Sequence, residues 1–176
     1  MSKQLELEFY ANMHNLAYII RYPNLPRLHN ESVAEHSFFV ASKVIELANS
    51  YVFDMQKAVT IAIIHDWTES IVGDIPMNVR RNYRVINSAI EDAENSVAEN
   101  YFRSDVCSLW TEHFIQQSVE AKIVMLADIL QVLQYASNEY NLGNEHFGKV
   151  LVDVEYRINE IESELKQWKR KVAILA

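Results

Sequence analysis

Three glycines and three prolines are spread over a chain of 176 residues. So little turn chemistry cannot connect many short strands, which leaves long helices as the natural way to organise the backbone. An all-α fold is expected. Apolar residues make up 49% of the chain and aromatic residues 11%, enough for one sizeable core, and the length is that of one domain. Residues 1–176 are therefore read as a single helical domain, with no internal repeat, low-complexity tract or linker.

Charge and cysteine content narrow the function classes. A formal net charge of −8 argues against a nucleic-acid polymer as partner, because such surfaces need clustered Lys and Arg to neutralise phosphates. A local basic pocket for a small anion is still compatible with it. The lone Cys107 cannot build an intramolecular disulfide framework and fits a reducing compartment. Met1-Ser2-Lys3-Gln4 leads into alternating Glu and Leu, and no apolar run is long enough to cross a bilayer, so a cytosolic protein without a membrane partner is expected.

Hydrophobic spacing places the helices. Leu5, Phe9, Met13, Leu16 and Ile20 form an amphipathic stripe that should stop before Tyr22-Pro23-Asn24-Leu25-Pro26. Arg21 and Tyr22 then stand at a helix-to-loop corner, where the arginine either caps the last carbonyls or clamps a phosphate beside an aromatic ring. Ser32-Val33-Ala34-Glu35 has the spacing of a capping box and starts a second helix, whose first turn carries His36 on the same face as Val40, Val44 and Leu47. The third helix should run from about Asp54 or Met55 to Ile71, ended by Gly73-Asp74-Ile75-Pro76. Ile86 to Tyr101 and Asp105 to Phe114 give two more, with His113 expected at the surface or as a cap. Val119 to Tyr140 gives a sixth, and a last helix from about Phe147 or Val150 reads as a structural outer element.

Chemistry concentrates in Ile61-Ala62-Ile63-Ile64-His65-Asp66-Trp67-Thr68-Glu69, where an uncharged run meets an adjacent imidazole and carboxylate. In helical geometry His65 and Glu69 lie one turn apart and Asp66 points about 100° round, so two neighbouring ligands can reach one ion with Glu69 beside it. Asp128, within Val124-Met125-Leu126-Ala127-Asp128-Ile129-Leu130, is a carboxylate among apolar neighbours. Such a group is seldom buried unless it is paired or binds a metal. Taken singly, His36, His65-Asp66 and Asp128 each have an ordinary explanation: a hydrogen-bonded core histidine, a helix reaching the surface, an interhelical ion pair. Together, two imidazoles and two carboxylates make a mixed N/O set suited to a divalent transition ion, with positions left for water and substrate. Arg80, Arg81 and Arg84 could be a solvated face or could line an anionic ligand.

The order of these residues resembles the HD-domain metal-dependent phosphohydrolases. The likeness tightens around Arg21-Tyr22-Pro23, Glu31-Ser32-Val33-Ala34-Glu35-His36-Ser37, His65-Asp66-Trp67-Thr68-Glu69 and Gly73-Asp74-Ile75-Pro76, which look like the YfbR-like branch of 5′-deoxynucleotidases and the related phage-encoded dATP triphosphohydrolases. It reaches from the first helix through Asp128 and Glu139. The resemblance implies a helical HD-domain bundle in which His36, His65, Asp66 and Asp128 hold a divalent ion, one of Zn, Co, Mn, Fe or Mg, and Glu69 handles the proton of its water. It also implies that Asp74 lies near the sugar and Arg21 near the phosphate of a small deoxynucleotide substrate. Tyr22 stands where the bacterial enzymes have Trp, which loosens the expectation of selectivity against a 2′-hydroxyl.

Arg80 and Arg81, with Arg84, favour a triphosphate, dATP first, over a deoxynucleoside monophosphate; either way the bond between the 5′ oxygen and the nearest phosphorus is the one cleaved. The competing classes are a non-catalytic nucleotide sensor, a helical interaction module and a cyclic-nucleotide phosphodiesterase. A homo-oligomer is expected, since an aromatic-rich helical domain readily self-associates.

Overall fold

Helix α1, Val33–Leu47, starts where Ser32 accepts a hydrogen bond from the Glu35 amide while the Glu35 side chain accepts from the Ser32 amide, the reciprocal capping box expected there. The computed structural model describes residues 9–10 and 12–169. Asp54 caps α2, Met55–Ile64, by accepting from the Lys57 amide. Two short helices, α3 at Glu69–Val72 and α4 at Met77–Asn82, flank the Gly-Asp-Ile-Pro turn, where Gly73 takes a φ of 82° that a side chain would strain. Four longer helices follow: α5, Arg84–Tyr101; α6, Ser104–Phe114; α7, Val119–Asn141; and α8, Gly148–Glu164. Among the described residues no helix is long and apolar enough to cross a membrane.

The 23-residue α7 is the central post, with α1, α2 and α8 packed around it. Its Ile123, Val124, Leu126, Ala127 and Ile129 meet Val40 and Val44 of α1, Ala58 and Ile61 of α2, and Val154 and Ile161 of α8 in one buried cluster. A second cluster joins Phe9, Ile64, Val97, Phe102 and Trp110, and so fastens α5 and α6 to the end of α2. Burying side chains of this size contributes roughly 1.5–3 kcal/mol each, which makes these contacts the main source of stability.

Two predicted helices differ from those found. Leu5 of the N-terminal stripe lies outside the described residues; Phe9 and Leu16 are buried as expected, but Asn12–Ala17 is a 3-10 helix and Ile20 pairs antiparallel with Ser32. The pairing bonds, Arg21 amide to Glu31 carbonyl at 2.9 Å and Val33 amide to Ile19 carbonyl at 3.0 Å, seat Arg21 against the start of α1. The helix expected to continue to Ile71 stops at Ile64. The Trp110 indole takes the His65 carbonyl at 3.1 Å, while the Trp67 and Glu69 amides bond three residues back, to Ile64 and Asp66. The backbone tightens through residues 65–68 before α3 resumes.

The loop after Tyr22 is held from α7. Glu139, 1% exposed, accepts from the Leu28 amide at 2.7 Å, the His29 amide at 2.9 Å and the Asn144 side chain at 2.7 Å. Those donors outweigh the burial and hold its carboxyl below the usual range. Glu139→Ala removes the acceptor that the Leu28 and His29 amides and the Asn144 side chain share, so we expect a loss on the order of 2 kcal/mol in urea unfolding, with Glu139→Gln recovering part of it. An unchanged unfolding midpoint would mean that the loop is anchored elsewhere.

Candidate metal centre and cavity

Two helix ends and the middle of a third helix deliver the His and Asp side chains to a cavity of about 720 Å³. His36 comes from the first turn of α1, His65 and Asp66 follow α2, and Asp128 comes from the middle of α7. Asp66 Oδ2 lies 3.2 Å from His65 Nε2 and 3.5 Å from His36 Nε2; Asp128 Oδ1 lies 3.2 Å from His36 Nε2. Ligand atoms of His36, His65 and Asp66 fall within 4.8 Å of one another, and Asp128 joins them through His36. Both imidazoles are buried, whereas the Asp66 and Asp128 side chains are 21% and 29% exposed and open to the cavity.

The imidazoles are oriented from behind. His65 Nδ1 lies 2.8 Å from the Ala62 carbonyl, which fixes the proton on that nitrogen, and Nε2 is left buried without a hydrogen-bond partner, its lone pair beside Asp66. His36 Nδ1 lies 2.8 Å from Gln131 Oε1, and the Gln131 amide nitrogen donates to Glu31, so the amide turns its oxygen towards the ring. Gln131 and Glu31 escaped the sequence reading as site residues. The available signal was position: Gln131 falls three residues after Asp128, on the same face of α7.

Arg21 enters this network rather than capping a helix. Its Nη1 lies 3.0 Å from Glu31 Oε2, 2.7 Å from His36 Nδ1 and 3.3 Å from Gln131 Oε1. Burial alone would lower its pKa, but Tyr22, Asp128, Glu31 and Asp66 together hold it above the ordinary value. Tyr22, at a φ of 58°, donates its amide to Asp74 Oδ2 at 3.2 Å. Its ring stacks on Tyr135 with centroids 5.2 Å apart and touches Phe147 edge-on, so one aromatic face is already occupied. Burial and the nearby carboxylates push its phenol up to about 12, against the draw of Arg21.

The carboxylates facing the cavity are not equivalent. Burial, with Asp66 and Asp74 alongside, holds the Glu69 carboxyl well above the ordinary range, and its Oε2 is buried without a protein partner. Asp74 is raised by burial as well. Burial acts the same way on Asp128, but the hydrogen bond and charge of His36, with Arg21 behind, hold it below its usual value. Two carboxyls of opposite tendency therefore face one space, the arrangement that separates acid from base roles.

The cationic residues are arranged differently from the expectation. Arg80 forms a double contact with buried Glu94, and Arg81 an ion pair with Asp153 at 2.9 Å. Arg84 is exposed and takes no part in the cavity wall. The outer helix α8 contributes Lys149 and Arg157 to that wall, so it is more than structural cover. His113, expected at the surface, is half-buried against the cavity with its ring edge-on to His65 at 5.7 Å. Burial and the neighbouring His65 lower its pKa to about 4.

Comparison with known proteins gives a consistent picture. The chain is 26% identical over 154 residues to a 5′-deoxynucleotidase of Photobacterium profundum, covering 80% of this chain and 79% of that one. An HD-domain phosphohydrolase structure from Listeria innocua superposes with a TM-score of 0.72 at 21% identity, over 90% of this chain and 82% of that one. The cyanophage S-2L HD phosphohydrolase, solved with dA and one catalytic Zn2+ ion, superposes with a TM-score of 0.57 at 14% identity, over 89% and 96% of the two chains. The family model for 5′-deoxynucleotidase YfbR-like proteins matches residues 8–171, and with nearly the whole chain inside that match, this protein belongs to the YfbR-like family and has the HD-domain phosphohydrolase fold.

Proposed function

We propose that this protein is a metal-dependent hydrolase of the 5′ phosphoester of deoxynucleotides, with a deoxynucleoside monophosphate as first substrate. The observation that carries the reading is the pair of back-bonded imidazoles aimed with Asp66 at one point: His65 Nε2 has no hydrogen-bond partner, and the three candidate ligand atoms converge within 4.8 Å. That donor set fits a divalent ion such as Zn, Co or Mn, held by His36, His65, Asp66 and Asp128. Such an ion, when bound, lowers the pKa of water and polarises a phosphoryl oxygen.

The remaining steps fall to the chain's own residues. Arg21, fixed by Glu31 and Gln131, supplies positive charge at the cavity floor for the phosphate. Asp74, tied to the Tyr22 amide, offers an acceptor to a sugar hydroxyl. Glu69 holds a proton more readily than an ordinary carboxylate, which suits it to deliver that proton to the departing 5′ oxygen.

Charge balance favours the monophosphate over the triphosphate first suggested by the arginine cluster. The cavity is lined by Arg21, Arg80, Arg81, Lys149 and Arg157 against six carboxyls, of which Glu69 holds its proton most readily. With that proton in place the lining is neutral, and a divalent ion adds the two positive charges that match a monoester dianion and fall short of what a triphosphate tail brings. Glu94 and Asp153 already neutralise Arg80 and Arg81. The triphosphate reading, dATP first, is kept as the second because Lys149 and Arg157 join these arginines on the wall. The relatives named 5′-deoxynucleotidases and the phage enzyme holding dA support a deoxynucleotide in either case.

Dialysis against a chelator should abolish release of phosphate from dAMP, and Co2+, Mn2+ or Zn2+ should restore it. Persistent turnover without metal would remove the proposal. His65→Ala and Asp66→Ala should each lower metal-dependent turnover by about three orders of magnitude while the helical circular dichroism signal is kept. Near-native rates in either variant would sink the assigned ligand set. Arg81→Ala combined with Lys149→Ala should change dAMP and dATP hydrolysis by similar factors; a loss of about tenfold or more confined to dATP would move the assignment to triphosphate.

A further inference from the structure

The carboxyl end of α6 carries two buried acceptors that the proposed phosphoester chemistry does not use. His113 Nδ1 and Gln116 Oε1 both lack a hydrogen-bond partner within the protein, and both residues line the cavity. Their orientations are built in. Gln116 occupies the position just past the helix where glycine is usual: its φ is 53°, its amide bonds the His113 carbonyl at 3.0 Å, and the Gln117 amide bonds the Glu112 carbonyl at 3.1 Å. A residue with a side chain is strained there, yet this one is used, because its Nε2 donates to the His113 carbonyl at 2.6 Å. With Nε2 so committed, Oε1 is the atom left without a partner. Of the His113 ring nitrogens, Nδ1 is the one buried without a hydrogen-bond partner. With the ring proton on Nε2, Nδ1 presents a lone pair.

Two bare acceptors disfavour a phosphate tail and call for N–H groups. Trp110, Phe114 and Met125 add apolar and aromatic surface to the cavity lining, while His65, Asp66 and Asp128 lie on the side of His113 that faces the proposed metal site. The edge-on contact of His113 with His65 puts this corner next to the proposed metal ligands, within a nucleoside's reach of them. We propose that His113 and Gln116 form the base-recognition corner of the cavity and select nucleobases bearing an exocyclic amine, as in adenine or cytosine, whose two N–H groups match the two acceptors. The inference rests on the deoxynucleotide reading above and adds to it the residues that choose the base. A buried acceptor facing a carbonyl in place of an amine is left unsatisfied, the situation that lets a polar site reject an analogue strongly.

The test separates this corner from the chemistry. Binding of deoxyadenosine and deoxyinosine to the chelator-treated full chain is measured by calorimetry, since these nucleosides exchange an amine for a carbonyl at one position. We expect deoxyadenosine to bind about tenfold or more tightly, and Gln116→Leu and His113→Phe each to bring the ratio close to one. Equal affinities in the unmodified protein overturn the inference, and this readout does not depend on whether any variant folds. A preference retained in both variants, with folding verified by circular dichroism, also overturns it. Hydrolysis of dAMP and of deoxyinosine monophosphate is followed in parallel with metal added. Turnover without base preference leaves the hydrolase standing and removes the corner; nucleoside preference without any turnover keeps the corner and removes the hydrolase.

Discussion

Like charges crowded on one cavity wall are the constraint to which the rest of this structure answers. Asp66, Glu69, Asp74 and Asp128 all face the same space, and burial, with the neighbouring carboxylates adding to it, raises the carboxyls of Glu69 and Asp74. Arg21 offsets part of it from beneath, and His36 lies between Asp66 and Asp128, within 3.5 Å of each. A cluster of this kind persists only because rigid elements prevent it from spreading. Removing its charges would favour folding locally, which is the usual relation between a functional site and the stability of the scaffold around it.

That rigidity comes from the packing of α7. The helix is apolar on the faces that meet α1, α2 and α8, so the packing that buries Ile123, Ala127 and Ile129 also sets Asp128 on the cavity wall and Gln131 behind His36. The amide of Gln131 is then locked by Glu31 from the opposite segment, and His36 is locked by that amide. The Trp110 indole sets the His65 backbone in the same manner from α6. His36 is therefore oriented from α7 and the His65 backbone from α6, so movement of either helix would disturb the cluster.

The elements legible from sequence were those whose signal is local. The capping box at Ser32, the exit at Gly73 and the long apolar pattern of Val119–Tyr140 all reappear, the last one residue longer at its carboxyl end. Where prediction and structure part, a distant group intervenes. The helix containing His65 ends early because a Trp in α6 takes a carbonyl that the next turn would have used. The arginines after the Gly-Asp-Ile-Pro turn looked like an open cationic patch; Glu94 and Asp153, remote in sequence, neutralise two of them. His113 looked like a surface or capping residue because it stands near the end of a short helix, and only the fold of α6 against α2 places its ring on His65.

The sequence alone determined an all-helical chain and nominated His36, His65, Asp66 and Asp128, because hydrophobic periodicity and a charge set in an apolar run are properties of neighbouring residues. It could not determine how those side chains are oriented, which cations are already paired, or which acceptors stay unsatisfied. Those depend on hydrogen bonds and ion pairs between residues far apart in the chain, as between Arg21 and Gln131, 110 positions apart. Such pairings are settled only when helices dock, since burial gives each polar contact its strength and each unpartnered atom its cost.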